Sequence, residues 1–167
     1  GLCSLIHLWG FIGDSLSSGL FQWIDTSTEP ITEPIITDYT YSWGQLLMSM
    51  MGGLAKGTNF SVGGLTCDSW LDRYVVYQAD GWNVDGVGTK FLTDKKQAYT
   101  ICLGVNDCNS SVPVGDFDTD VDLSDFHNNA NTYCGRYAWI IQQIKAIQPS
   151  AKIFVITIPS IWNSNCE

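Results

Sequence analysis

Apolar runs typical of buried strands alternate along this chain with segments whose apolar residues have helical spacing. This pattern predicts strands that alternate with helices. Largely apolar runs at residues 5–13, 97–103 and 152–158 are typical of buried parallel strands, and a shorter strand is expected at 57–62. The run at 152–158 is rich in β-branched residues. It therefore predicts a central strand that is covered on both faces.

Apolar side chains at helical spacing predict helices over residues 41–51, 67–78 and 130–148, and Pro149 ends the last of them. Two prolines close together predict an irregular loop over residues 26–40. Strand and helix signals in this order predict an α/β sandwich.

The size and charge of the chain narrow the classes of function. Its 167 residues are enough for one domain, residues 1–167, and few for two. A net charge of −9 has the wrong sign for binding nucleic acid or an anionic membrane surface. No apolar run approaches the roughly 20 residues that cross a bilayer. The chain begins with glycine, which indicates either a removed export signal or a trimmed start, and we expect a secreted or periplasmic protein.

The cysteines and aspartates do not indicate a metal site or a cofactor. The six cysteines include no CxxC pair, so structural thiols or one or two disulfides are expected rather than zinc. Residues 112–125 contain five aspartates and are expected to form a solvated surface loop. Calcium is a weaker alternative, because the spacing of these aspartates does not fit a calcium loop.

The chemistry-bearing residues follow the predicted strands. Gly13-Asp14-Ser15 comes directly after the first strand, where a serine hydroxyl stands at the edge of the sheet at which reacting groups collect. This turn alone is weak evidence, because short glycine and serine turns are common. Residues 59–66 follow the second strand in the same way, and residues 104–107, Gly-Val-Asn-Asp, follow the third.

These three segments together, in this order, resemble the SGNH (GDSL-type) hydrolases over nearly the whole chain. The resemblance implies a flavodoxin-like three-layer α/β/α sandwich with a central parallel sheet. It also implies that Ser15 is the nucleophile and that the oxyanion hole is formed by the N–H groups of Ser15 and Gly64 and the side-chain amide of Asn106. Asp14 and Gly104 belong to the same motifs and are expected to support the site.

The choice of Gly64 rather than Gly63 depends on the spacing to Thr66, since the family's glycine generally lies two residues before a Thr-like position. The physical chemistry agrees with these roles. Attack on an ester builds negative charge on the carbonyl oxygen, and each preorganised donor stabilises it by about 3 to 4 kcal/mol. Asparagine suits this task because its amide is neutral at every working pH.

The family's Asp-x-x-His segment is missing from this sequence. The chain has two histidines, and the residue three positions before each of them is a serine. His7 lies eight residues before Ser15 on one strand, which separates them by about 26 Å, so His7 is a poor candidate for the catalytic base. His127 is better placed, after the third strand, but it precedes a helix N-terminus, which disfavours an imidazolium.

We therefore expect a hydrolase domain that is incomplete at its C-terminal end and inactive alone. A second polypeptide, the cleaved remainder of the same precursor, would supply the last strand, the last helix and the Asp-x-x-His segment. Without it, the strand at 152–158 would leave an apolar edge bare.

The sequence favours a serine esterase, and aromatic residues in predicted surface loops, Trp23, Trp82 and Trp162, favour acetylated carbohydrate as its substrate. A lipase or acyl-thioesterase of the same family is the nearest alternative. A non-catalytic carbohydrate-binding module that kept the fold is another. A nucleotide- or flavin-binding domain is the weakest, because no phosphate-binding glycine motif accompanies the turn, and we expect no cofactor.

Overall fold

A computed structural model describes residues 6–22, 26–27, 35–75 and 87–158. The strands are β1 (Leu8–Gly13), β2 (Leu20–Gln22), β3 (Ile35–Thr37), β4 (Lys56–Ser61), β5 (Ala98–Cys102) and β6 (Lys152–Val155). The α-helices are α1 (Ser15–Ser18), α2 (Trp43–Met50), α3 (Cys67–Val75), α4 (Val87–Thr93), α5 (Val105–Asn109), α6 (Phe117–Asp120) and α7 (Tyr133–Ile147). Two short 3-10 helices span Tyr39–Tyr41 and Phe126–Asn128.

Four strands form a parallel sheet in the order β4-β1-β5-β6. Gly13 at the end of β1 pairs in register with Ser61 of β4 and with Cys102 of β5. The carboxyl ends of these three strands therefore lie at one level, and the loops that follow them meet at one edge of the sheet.

Helices cover both faces of this sheet. Alternation along β1 points Trp9 and Phe11 toward α2, where they form one buried cluster with Met48. It points Ile12 to the opposite face, into a larger cluster with residues of α3 and α7 such as Trp70 and Ile140. The predicted three-layer α/β/α architecture is confirmed.

Most predicted elements are present and are shorter than the sequence pattern suggested. The predicted loop at 26–40 contains β3 and part of the first 3-10 helix, and β3 pairs with β2 in a two-stranded antiparallel sheet that was not predicted. Local propensity did not reveal these strands, because each has only three residues and is stabilised by its partner.

The prediction that residues 152–158 form a strand buried on both faces is wrong. Within the described part of the chain, β6 is an edge strand, and Phe154, Val155 and Ile156 are 38%, 55% and 37% exposed. Its β-branched composition is that of a covered strand. Among the described residues, β6 therefore combines an edge position with partly exposed apolar side chains.

The acidic segment at 112–125 is held by its own carboxylates. Asp116 and Asp125 accept hydrogen bonds from backbone N–H groups two residues further on, and Asp120 accepts from the Asp116 N–H and the Thr132 hydroxyl. Asp122 accepts from the N–H groups of residues 124 and 125. These aspartates thus serve as local caps of a surface segment.

Three cysteines, Cys67, Cys102 and Cys134, are free thiols, whereas Cys108 is disulfide-bonded. Cys3 and Cys166 lie outside the described residues. None of the helices described is long and apolar enough to cross a membrane.

Candidate active site

The turn after β1 presents Ser15 as the first residue of α1, half-buried at the carboxyl edge of the sheet. Asp14 caps this short helix, because its Oδ1 accepts the Leu16 N–H at 2.9 Å. The hydroxyl of Ser17 accepts a hydrogen bond from the Trp43 indole at 3.1 Å, and the Ser18 carbonyl accepts one from the Asn59 amide at 3.3 Å. The serine turn is therefore attached to α2 and β4 as well as to β1.

The turn after β4 passes beside Ser15. A Cβ atom added to Gly63 would lie 3.7 Å from the Ser15 Cβ and 3.3 Å from the Leu20 Cδ1, so the backbone of Gly63 borders the nucleophile. Gly64 follows with φ of 82°, a left-handed conformation that favours glycine, and a Cβ atom there would meet nothing within 4 Å. The assignment of the Gly64 N–H as oxyanion donor stays a prediction, and the neighbouring Gly63 borders Ser15.

The turn after β5 brings Asn106 to the other two segments. Gly104 begins it with φ of 129° as the residue before α5. The side-chain nitrogen of Asn106, Nδ2, donates to the Leu65 carbonyl at 3.1 Å and to Oδ2 of Asp14 at 3.3 Å. Asn106 thus connects the segments that carry Ser15 and Gly64.

Two buried carboxylates flank Asn106. Asp14 is 1% exposed and Asp107 is 2% exposed. Burial raises the pKa of Asp14, and burial raises the pKa of Asp107 to about 6, with a further contribution from the nearby Asp14. Both oxygens of Asp107 accept the Cys67 N–H at 3.1 Å, so Asp107 caps the N-terminus of α3.

Sequence reasoning missed the roles of Asp107 and of the Leu65 carbonyl. Asp107 accepts the Cys67 N–H and the Leu65 carbonyl accepts from Asn106, and both hydrogen bonds join segments that are far apart in the chain. The available signal was the aspartate directly after Asn106, since aspartate is one of the preferred helix-capping residues.

The side-chain contacts of both histidines are with residues other than Ser15. His7 precedes β1 and its Nδ1 contacts the Leu54 carbonyl at 2.7 Å, while its own carbonyl accepts the Lys56 N–H at the start of β4. It is therefore at the amino edge of the sheet, as predicted. His127 is on the surface, where its Nδ1 contacts Oδ1 of Asp125 at 2.6 Å and its ring packs against Phe126 and Trp139.

Two other sequence expectations bear on ligands. No group of histidine, cysteine and carboxylate side chains within the described ranges could hold a metal ion. Trp23, Trp82 and Trp162 lie outside the described residues. The tryptophans that are described are buried or half-buried and belong to the packing of the domain: Trp9, Trp43, Trp70 and Trp139.

A model of the GDSL-like lipase/acylhydrolase family matches residues 11–165 of this chain. The match begins in β1 and includes all three segments that form the site. No curated protein sequence matches the chain.

Solved structures with the same fold include a protein from Chitinophaga pinensis DSM 2588 described as "a possible lipase", TesA, and a carbohydrate esterase. Their identities to this chain are 22%, 18% and 16%, with TM-scores of 0.54, 0.54 and 0.51. The alignments cover 90%, 95% and 89% of this chain but only 48%, 65% and 48% of those proteins. The chain thus spans about half to two thirds of their length.

Proposed function

The chain belongs to the GDSL-like lipase/acylhydrolase family, and we propose that it is a serine ester hydrolase that works through an acyl-enzyme intermediate. The observation that carries this proposal is the convergence of Ser15, the turn at Gly63 and Gly64, and Asn106 at one edge of the sheet. A nucleophile and backbone and amide donors from three strand ends are the parts that acyl transfer needs.

In the proposed reaction, the Ser15 Oγ attacks the ester carbonyl carbon while its proton passes to a general base. The carbonyl π electrons move onto the oxygen, and the resulting oxyanion accepts hydrogen bonds from the N–H groups of Ser15 and Gly64 and from the Asn106 amide. Collapse of this intermediate expels the alcohol, which takes the proton from the base. Water then repeats the sequence on the acyl-serine and releases the acid.

We further propose that the base is a histidine from an Asp-x-x-His segment on a second polypeptide, and that this domain alone is inactive. Two observations support this. His7 is at the amino edge of the sheet, and His127 is engaged with Asp125 on the surface. β6 is the edge strand of the described sheet, and Phe154 and Val155 are partly exposed on its two faces, which suits pairing with a further parallel strand and cover by further residues.

An O-acetylated carbohydrate is the substrate class proposed for this site. The likeness in fold to a carbohydrate esterase is in keeping with it. One observation favours longer acyl groups instead. Leu16 and Leu20 are 43% and 40% exposed, and Leu20 borders Gly63 beside the nucleophile.

The experiment compares acetate release from acetylated glycans with hydrolysis of long-chain acyl esters by the native protein. Ser15→Ala is expected to lower the preferred activity by more than about 1000-fold, because it removes the nucleophile. Ser49→Ala, on an exposed face of α2, is the control and should leave activity unchanged. Equal or faster turnover of long-chain esters would replace the carbohydrate by a lipid substrate. Glycan binding without hydrolysis would indicate a binding module.

Intact mass analysis and sequencing of the same native sample test the source of the base. The expected result is a second polypeptide that co-purifies and contains Asp-x-x-His. Full activity of the 18.5 kDa chain as a monomer would overturn the second-chain proposal while leaving the esterase proposal intact.

A further inference from the structure

The carboxylate of Asp14 is shared between two parts of the site. Its Oδ1 accepts the Leu16 N–H at 2.9 Å, which is the ordinary contact of a helix-capping aspartate. Its Oδ2 accepts the Asn106 Nδ2 at 3.3 Å, across a separation of 92 residues in sequence. The side chain is 1% exposed, so these contacts are made away from bulk water.

The Asn106 amide is fixed by two acceptors that lie on different segments. Nδ2 donates one hydrogen to the Leu65 carbonyl at 3.1 Å and the other toward Asp14 at 3.3 Å. An amide group has two N–H donors in one plane, so two acceptors determine both its plane and its rotation about the last side-chain bond. An oxyanion donor must be held in this way before substrate arrives, because its contribution depends on preorganisation.

We propose that Asp14 is a positioning residue that orients the Asn106 side-chain amide for the oxyanion, an inference that rests on the proposed esterase function. The contact with Asp14 is the longer of the two, and its hydrogen is the one that the carbonyl oxygen of a substrate bonded to Ser15 would share. Asp14 therefore couples the turn that carries the nucleophile to the donor that stabilises the developing charge.

A second route from Asp14 to activity must be separated from this one. Loss of its contact with the Leu16 N–H would loosen α1 and move Ser15 directly. In Asp14→Asn the side chain has one oxygen and one NH₂ group, so only one of the two carboxylate contacts keeps an acceptor. A double-mutant cycle with Asn106→Ala distinguishes the two routes, because only one passes through Asn106.

The experiment measures kcat and KM of the native protein, purified with any polypeptide that accompanies it, for Asp14→Asn, Asn106→Ala and the double variant. Asp14→Asn is expected to lower kcat by about 10- to 100-fold with little change in KM, since one oxyanion donor is worth about 100- to 1000-fold. In the Asn106→Ala background the same change should cost less than about 2-fold. Losses that multiply in the double variant would overturn the proposal and place the effect on Ser15.

Asp38→Asn is the matched control. Asp38 caps the 3-10 helix at Tyr39–Tyr41 through the same contact, Oδ1 to the N–H two residues on at 2.9 Å, and is exposed. It should leave kcat unchanged.

A second readout does not depend on esterase activity. In the ¹⁵N–¹H spectrum, the Asn106 side-chain signals, assigned by their loss in Asn106→Ala, should shift in Asp14→Asn and stay in place in Asp38→Asn. Unchanged Asn106 signals in Asp14→Asn would overturn the positioning role. Absence of ester hydrolysis by the wild-type protein, with shifted signals, would refute the proposed function alone.

Discussion

Aspartate performs the same local task in two regions of this molecule with opposite electrostatic results. At the sheet edge, Asp14 and Asp107 cap α1 and α3, and both are buried. In the acidic segment, Asp122 and Asp125 also accept backbone N–H groups, but Asp125 is exposed and Asp122 is only half-buried. Burial raises the pKa values of the first pair, whereas hydrogen bonds lower those of the second pair.

The difference shows that a capping contact does not by itself decide how an aspartate titrates. In the surface segment the N–H and hydroxyl donors favour the charged form, and little desolvation opposes them. At the sheet edge, desolvation outweighs the same kind of donor. The site therefore holds its two carboxylates at an energetic cost that the surface segment does not have.

The largest expected effect comes from exchanging one asparagine in each region for alanine. Asn106→Ala should lower kcat by about 100- to 1000-fold, because it removes a proposed oxyanion donor. Asn129→Ala should instead lower stability and leave kcat unchanged. Asn129 is 4% exposed, its amide donates to Gly135 and Gln142, and its oxygen accepts the Asp122 N–H, so its loss should lower the free energy of unfolding by about 2 to 3 kcal/mol.

Steady-state kinetics and urea unfolding of both variants check this. A fall in kcat for Asn129→Ala, measured where that variant is fully folded, would mean that the two regions are not separate. Unchanged kcat for Asn106→Ala would remove Asn106 from the oxyanion hole.

The same pair of asparagines shows what could be predicted from the sequence. Asn106 was identified through the resemblance of its motif to a known family, and the position of that motif directly after a strand predicts a place at the sheet edge. Asn129 has no such position. Its importance depends on contacts with residues 135 and 142 of α7 and with Asp122, which local sequence patterns do not encode.

The strands of the fold also differ in how well the sequence predicted them. β1, β4 and β5, whose ends carry the site, were predicted to within a few residues, because their periodicity and the following turns agree. The small sheet of β2 and β3 was missed, since three-residue strands form only by pairing. β6 was predicted as a strand but placed at the centre of the sheet. An apolar composition indicates that a strand can be buried on both faces, but it does not show whether a neighbouring strand is present.

The next largest effect is expected from a change of pH, which should alter the free energy of unfolding in opposite directions through the aspartates of the two regions. Burial raises the folded pKa of Asp107 from 3.8 to about 6, so its contribution to stability is present below the lower value and is lost as pH rises through the higher one. A shift of this size corresponds to about 2 to 3 kcal/mol. Asp107→Asn should therefore remove much of the decline in the free energy of unfolding between pH of about 4 and about 7.

Urea unfolding across that range gives the measurement. The amide oxygen that replaces the carboxylate in this variant can still accept the Cys67 N–H, so the cap is kept while the titration is removed. A decline as steep in Asp107→Asn as in the wild type would show that desolvation of Asp107 is not its source.

The smallest effect is expected from Asp122→Asn, and it should have the opposite sign with pH. The hydroxyl of Ser124 and the amide of Asn128 lower the pKa of Asp122, so its contribution is present above the ordinary carboxyl value and is lost as pH falls through the folded value. The variant should melt slightly below the wild type near neutral pH, and the gap should close below pH of about 4. Hydrogen exchange locates the change. The backbone N–H groups of Ser124 and Asp125 donate to Oδ1 of Asp122, and because a neutral amide oxygen is a weaker acceptor than a carboxylate, they should lose part of their protection, whereas the Cys67 N–H on Asp107 should keep its own. Loss of protection at Cys67 would show that the surface carboxylates and the buried ones belong to one cooperative unit, and the contrast between the two regions would then lie in burial alone.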